Sequence, residues 1–408
     1  MGREEELRAS AHLIGDALTA TADIAADVHR AIARRVAGLL PAVAGPANAM
    51  HESIASVAYS AVSVALRLAS AAGAEVLAAT GDPSAPPPSE TRLGRTVLSA
   101  ANGLWGDTLA ERHPALAIPM TVRVEGRDIA LDRASIAATF PGATPRLVVF
   151  LHGLSLSEES WWRQAGGRRT ARSYGDRLGR DLGITPVYVR YNTGLRISDN
   201  GRSLSRLLDE VTASWPVPVR RLDLVGHSMG GLLARSACHY GNLDGAAWVP
   251  AVGAVVTLGT PHLGAPLEKG VHVADWVLSR LPETAPLARP LRTRSAGVRD
   301  LRHGSVVEED WLGDDPDEFL RDRSTEVPFL EHATYYFVAA SLSRDPDHPA
   351  GRLLGDGLVR YPSASGQGHT RRIPFEIGNG ARLGGVGHLA LVNHPAVYRQ
   401  LRAWLASS

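Results

Sequence analysis

Apolar residues in the C-terminal three quarters of the chain fall into short continuous runs separated by stretches compatible with helices. Five of these runs are rich in β-branched and aromatic residues, namely RLVVFLHG (146–153), TPVYVRYN (185–192), RLDLVGHS (221–228), AVVTLGTPH (254–262) and TYYFVAASL (334–342). Near-continuous apolar strands that alternate with helices are typical of a parallel sheet covered on both faces. Before them, TVRVEGRDIALD predicts a hairpin that turns at Glu125-Gly126.

A different pattern governs the N-terminal 1–80 region. Apolar residues recur every three to four positions from Leu13 to Leu40, which predicts a helix that Pro41 ends. A second helical pattern covers Ser53 to Ala79; it is long enough to span a bilayer, but it is rich in Ala and Ser and carries Arg67. We therefore expect a soluble pair of helices, and the alternative is association with a membrane surface.

Consecutive prolines divide the chain after these helices. The stretch GDPSAPPPSE, residues 81–90, cannot continue a helix and predicts a linker. Residues 91–408 are then expected to form one α/β domain, with 267–330 as a long insertion between two predicted strands.

Net charge and cysteine content restrict the expected binding partners and the expected cellular location. The formal net charge is only +1, so the chain lacks the basic field that nucleic-acid binding needs. The acidic N-terminus does not resemble a secretory signal, and the lone Cys238 cannot form an intrachain disulfide. The cytoplasm is the expected location, and Cys238 is expected to be a packed residue.

The stretch LDLVGHSMGGLLARSA places one serine between glycines where a predicted strand meets a predicted helix. Gly226-His227-Ser228-Met229-Gly230 has the Gly-x-Ser-x-Gly pattern of a nucleophile elbow, in which a tight turn exposes the serine Oγ above the sheet. A purely structural glycine turn is the competing interpretation. The position between strand and helix favours the catalytic one.

From about Pro114 to Ser408 the chain resembles an α/β-hydrolase, and within that class it is similar to bacterial lipases and the GPI inositol-deacylase-like group. The resemblance rests on FLHGL (150–154), GHSMGG (226–231), LGTPHLGAP (258–266), GDGLV (355–359) and GVGHLAL (385–391), which occur in the order found in that class. It implies an α/β-hydrolase fold: a mostly parallel sheet with helices on both faces, a helical lid insertion and, here, an added N-terminal α-helical region.

A catalytic serine needs a base within hydrogen-bond reach and an acid that orients the base. In this fold the acid and then the histidine follow the serine along the chain. His388, in a predicted loop, is favoured over His394, which lies beside Pro395. Asp356 is favoured as the acid because similar lipases place theirs in an Asp-Gly-x-Val setting; Asp345 and Asp347 are the alternatives near a strand end.

The oxyanion hole of this fold uses two backbone N–H groups. One belongs to the residue after the nucleophile, Met229, and the resemblance assigns the other to Leu154. His152 and His262 are expected to be structural residues of their motifs, although either could touch substrate.

Proteins of this kind commonly carry a lid in the connection that residues 267–330 form in this chain. Trp276, Val277 and Leu281 are spaced to share one helical face there, and they would present apolar surface to an acyl chain. Packing helices without a gating role are the alternative interpretation.

The sequence therefore predicts a serine hydrolase that cleaves a small-molecule, lipidic carboxylic ester through an acyl-enzyme, without a metal or an organic cofactor. The alternatives are an acyltransferase that uses the same triad, and a non-catalytic binding protein built on a hydrolase fold.

Overall fold

A computed structural model describes residues 3–38, 87–163, 170, 172–264, 295–312, 325–345, 348, 355–368 and 371–406. The helices in these residues are α1 Arg3–Gly38, α2 Arg92–Arg112, α3 Arg133–Thr139, α4 Tyr174–Leu182, α5 Ile197–Ser214, α6 Met229–Leu243, α7 Ala296–Asp300, α8 Tyr361–Ala364 and α9 Pro395–Ala406. The strands are β1 Thr121–Val124, β2 Arg127–Asp128, β3 Arg146–Leu151, β4 Thr185–Arg190, β5 Arg221–His227, β6 Val252–Leu258, β7 Thr334–Ser341 and β8 Gly380–Gly384.

The eight strands form one sheet in the order β2-β1-β4-β3-β5-β6-β7-β8. Strands β3 to β8 are parallel, whereas β1 pairs antiparallel with both β2 and β4. The carboxyl ends of the central strands β3, β5 and β6 therefore meet at one edge of the sheet, where the loops that follow them can converge.

The predicted strands are confirmed. All five apolar runs form parallel strands, and the predicted hairpin turns at Glu125 and Gly126, which both have positive φ, 51° and 79°. Strand β8 was not predicted, because its sequence GARLG has no continuous apolar run and its residues are half-buried or exposed at the sheet edge.

Side chains of each central strand alternate between two hydrophobic layers, as the two-residue period of a strand requires. In β3, Leu147, Val149 and Leu151 pack in the layer that contains α5 and α6. Val148 and Phe150 point the other way and pack in the layer that contains α4 and α9. Helices therefore cover both faces of the sheet, which confirms the predicted fold class.

The N-terminal part of the described chain contains the predicted first helix. Helix α1 begins at Arg3, ten residues before the apolar stripe that predicted it. Its first turn carries Glu4, Glu5 and Glu6, whose negative charges interact favourably with the positive N-terminal end of the helix dipole. Described residues in 3–38, 87–98 and 108–117 belong to one compact unit, and those in 99–107, 118–264 and 295–406 to another. Among the described helices, none combines the length and apolar character needed to cross a membrane.

Several sequence predictions lie outside the described residues. These are the second N-terminal helix, linker residues 81–86, Asp347, and the proposed lid residues Trp276, Val277 and Leu281. Within 267–330 the structure describes 295–312 and 325–330, which include the short helix α7. The domain boundaries and the lid remain predictions.

Tyr174 connects α4 to the segment between β8 and α9. Its buried hydroxyl donates to the Leu391 carbonyl over 2.8 Å and accepts from the His394 N–H over 2.6 Å. The single hydroxyl thus satisfies backbone groups at two points of the segment that begins at His388.

We expect Tyr174→Phe to lower the free energy of unfolding by roughly 1–3 kcal/mol, because it leaves these backbone groups without their partner. Tyr398→Phe is the matched control, since the Tyr398 hydroxyl donates to the Asp181 carboxylate, which can be solvated instead. Chemical denaturation of both variants measures the difference, and equal losses would contradict this role of Tyr174.

Candidate active site

Ser228 lies in a sharp turn between β5 and α6. Its backbone has φ 53° and ψ −121°, a left-handed value of φ that non-glycine residues rarely adopt. A Cβ at Gly226 would lie 2.4 Å from the Gly230 carbonyl carbon, and one at Gly230 would lie 2.3 Å from the Leu151 oxygen. Both glycines are therefore required by close backbone contacts around the serine.

Asp356 and His388 form a buried hydrogen-bonded pair. The distance from His388 Nδ1 to Asp356 Oδ2 is 2.7 Å, and the His388 N–H donates to the Asp356 carbonyl over 3.0 Å. The other carboxylate oxygen, Oδ1, accepts from the N–H groups of Leu358 and Val359 at 3.0 and 2.8 Å. Because a carboxylate only accepts, this hydrogen bond requires a proton on His388 Nδ1, and in the neutral form of the ring Nε2 is then an acceptor.

Two of the alternatives for these positions, Asp345 and His394, lie within the described residues. Among the described residues, the carboxylate bonded to His388 is that of Asp356, while Asp345 lies in the turn after β7. His394 is half-buried, and its Nδ1 accepts the N–H of Ala396 in the first turn of α9.

His227 joins this pair to the serine turn. It precedes Ser228, its Nε2 lies 3.1 Å from the His388 carbonyl oxygen, and the two imidazole centroids are 4.8 Å apart. The structure therefore brings Ser228, His388 and Asp356 into one region at the carboxyl edge of the sheet.

The loop after β3 also reaches the serine. A Cβ at Gly153 would lie 3.0 Å from Ser228 Cβ, so the Gly153-Leu154 backbone passes close to this side chain. The N–H groups of Leu154 and Met229 have no hydrogen-bond partner among the described residues. Two backbone donors are thus available on the segments that flank Ser228.

The histidines of the two neighbouring motifs have internal partners. His152 bonds to the Gly153 carbonyl at 3.0 Å, and burial lowers its pKa to about 4. His262 bonds to Thr257 Oγ1 at 3.2 Å and to Arg235 Nη1 at 3.3 Å, and burial lowers its pKa well below the usual value. Both rings are held neutral inside the protein.

Cys238 is buried in α6, and burial raises the pKa of its thiol to about 12. A thiol that stays protonated is a poor nucleophile. The side chain is therefore a packed residue, as expected.

Gly259 is a further residue of the site that sequence reasoning missed. It has φ +59°, and a Cβ there would lie 3.1 Å from Asp356 Oδ2, 3.3 Å from His388 Nδ1 and 2.6 Å from Leu391 Cδ1. The motif LGTPHLGAP contained this glycine, but only the fold shows that the Asp356–His388 pair occupies the space beside it.

Comparisons with known proteins agree with this architecture. Residues 144–279 match the family model described as PGAP1-like alpha/beta domain. No match was found among curated proteins. The predicted resemblance is confirmed over these residues, and the described part of the chain forms a mostly parallel sheet with helices on both faces.

Solved structures similar to the chain include lipases and esterases. The mature lipase BlEst2 of Bacillus licheniformis is 22% identical, with 63% of this chain and 91% of that chain covered and a TM-score of 0.41. The hyperthermophilic esterase of Pyrobaculum calidifontis is 18% identical, with 64% and 74% covered and a TM-score of 0.33. Phospholipase PlaB of Legionella pneumophila is 15% identical, with 60% and 53% covered and a TM-score of 0.35.

We expect Gly259→Ala to lower the free energy of unfolding by roughly 1–2 kcal/mol from backbone strain and by about 1–3 kcal/mol more from crowding. Gly245→Ala is the matched control, because Gly245 has φ +65° but open space around its Cβ position. Proton NMR of the hydrogen-bonded His388 Nδ1–H should show it perturbed only in Gly259→Ala. Equal stability losses with an unchanged His388 signal would contradict the crowding argument.

Proposed function

We propose that the protein is a serine hydrolase that cleaves carboxylic esters through an acyl-enzyme. Ser228 is the nucleophile, His388 the general base and acid, and Asp356 the residue that orients His388. The observation that carries the proposal is the buried Asp356–His388 pair beside the strained turn that bears Ser228.

Acylation begins when Ser228 Oγ attacks the ester carbonyl carbon and His388 Nε2 takes the hydroxyl proton. Collapse of the tetrahedral intermediate breaks the bond to the alkoxy oxygen, and His388 returns the proton to the leaving alcohol. Water then attacks the acyl-enzyme with His388 again as the base, which releases the carboxylic acid and restores Ser228. These steps use only the named groups, water and the ester.

The N–H groups of Met229 and Leu154 stabilise the oxyanion in this proposal. Met229 occupies the first position of α6, where backbone N–H groups point out of the helix and the dipole favours negative charge. A donor already placed where charge develops needs no rearrangement during the reaction.

Asp356 is suited to orient the base because its own carboxylate is fixed. Two backbone N–H groups hold Oδ1, which leaves Oδ2 directed to His388 Nδ1. This arrangement keeps the tautomer in which Nε2 can accept the serine proton, and it stabilises the imidazolium that forms.

Exposed leucines on the segments around the pair support a lipidic substrate. Leu342, Leu358 and Leu389 are 51%, 40% and 62% exposed. Leu389 follows His388 in the chain. Side-chain atoms of Leu342 lie 3.5 Å from where a Cβ would be at Gly357 and 3.4 Å from where one would be at Gly387, so Leu342 lies close to both backbone segments. Exposed apolar side chains near a reactive site are suited to contact an acyl chain.

Ser228→Ala and Asp356→Asn test the catalytic assignment. We expect Ser228→Ala to lose turnover by roughly 10⁴–10⁶ and to lose covalent labelling by a fluorophosphonate, because triad residues act as a unit. Asp356→Asn should lose roughly 10⁴ in kcat because it no longer fixes the required tautomer. Asp345→Asn is the control and should stay near the wild-type rate; full labelling of Ser228→Ala would reject the nucleophile.

The substrate class is tested with p-nitrophenyl esters of increasing acyl length. Each buried methylene is worth about 0.8 kcal/mol, so kcat/KM should rise several-fold for each two-carbon extension until the acyl site is full. Leu389→Ser should reduce this rise, whereas Leu243→Ser, an exposed leucine at the far end of α6, should not. A wild-type enzyme equally fast on acetate and medium-chain esters would reject the lipidic substrate.

A further inference from the structure

We infer that His227, the residue before the proposed nucleophile, is a positioning residue that fixes the base His388 relative to Ser228. The inference rests on the proposed function. It assigns a role to a side chain that the catalytic steps themselves do not use.

The hydrogen bond from His227 runs to the main chain of the base. The distance from His227 Nε2 to the His388 carbonyl oxygen is 3.1 Å, and both residues are buried. A carbonyl oxygen can only accept, so His227 Nε2 carries the proton and donates it.

This bond completes a three-point attachment of His388. Its Nδ1 is held by the Asp356 carboxylate, its N–H by the Asp356 carbonyl, and its own carbonyl by His227. The first two points fix His388 relative to Asp356 alone. The third fixes it relative to the β5–α6 turn, because His227 is bonded through one peptide to Ser228.

The environment of His227 keeps its ring neutral. Nδ1 has no hydrogen-bond partner among the described residues, and burial, with the nearby His388 as a second cause, lowers the pKa of the ring. The ring lies edge-on to the Trp161 indole, with centroids 6.5 Å apart. Because His227 is neutral, it places no positive charge next to His388 when His388 becomes an imidazolium.

A positioning role predicts a specific kinetic signature. Displacing a catalytic base by about 1 Å can lower the rate on the order of 100-fold. The contacts that bind the substrate do not involve His227, so they should stay the same. Loss of the His227 donor should therefore lower kcat and leave KM nearly constant.

The experiment compares three variants of the full chain with p-nitrophenyl butyrate. His227→Phe keeps a ring but removes the donor, and we expect kcat to fall roughly 10- to 100-fold with KM within about 2-fold. His227→Gln retains an N–H donor at a similar reach and should recover most of kcat. His262→Phe is the control, because His262 is also a buried histidine but bonds to Thr257 and Arg235; its melting temperature should fall while kcat per folded molecule does not.

A wild-type kcat in His227→Phe, or a His227→Gln variant as slow as His227→Phe, would overturn the inference. If His227→Phe does not fold, nitrogen NMR of histidine in the wild-type protein decides: His227 must stay protonated at Nε2 and unprotonated at Nδ1 between roughly pH 5 and 8. A ring that titrates in that range overturns it. A wild-type protein without Ser228-dependent activity would instead refute the proposed function.

Discussion

The close packing of the β5–α6 turn against the end of β3 is the constraint on which the site depends. Ser228 adopts a left-handed backbone because the chain must reverse within one residue between the strand and the helix. Gly230 then lies against the Leu151 carbonyl, where no side chain would fit. Parallel pairing of β3 with β5 supplies the rigid frame that maintains this contact.

The same edge of the sheet fixes the Asp356–His388 pair. Each partner is held by main-chain hydrogen bonds in addition to the bond between their side chains, so neither depends on a flexible side chain alone. Gly259 follows β6, and because it has no side chain it leaves room for the pair. Backbone geometry on three different segments thus sets the position of a single imidazole.

The histidines around the site differ in the groups to which they bond. His152, His227 and His262 are completely buried, and desolvation lowers the pKa of each. Each bonds to an internal partner and is held as a neutral structural group. His388 differs because its Nδ1 bonds to the carboxylate of Asp356.

The sequence by itself determined the strands and the turn around Ser228, because continuous apolar runs and closely spaced glycines are local signals. It also contained the motifs of Asp356 and His388, but it left Asp345, Asp347 and His394 as alternatives. Only the tertiary structure showed which carboxylate reaches His388, since that depends on how loops separated along the chain converge. The edge strand β8 could not be predicted either, because its sequence GARLG has no apolar run. It is a strand because it pairs with β7, which only the fold shows. The contacts of Gly259 and His227 were likewise decided by the fold, because His227 and His388 are 161 residues apart and hydrogen bonds across such a separation leave no local pattern.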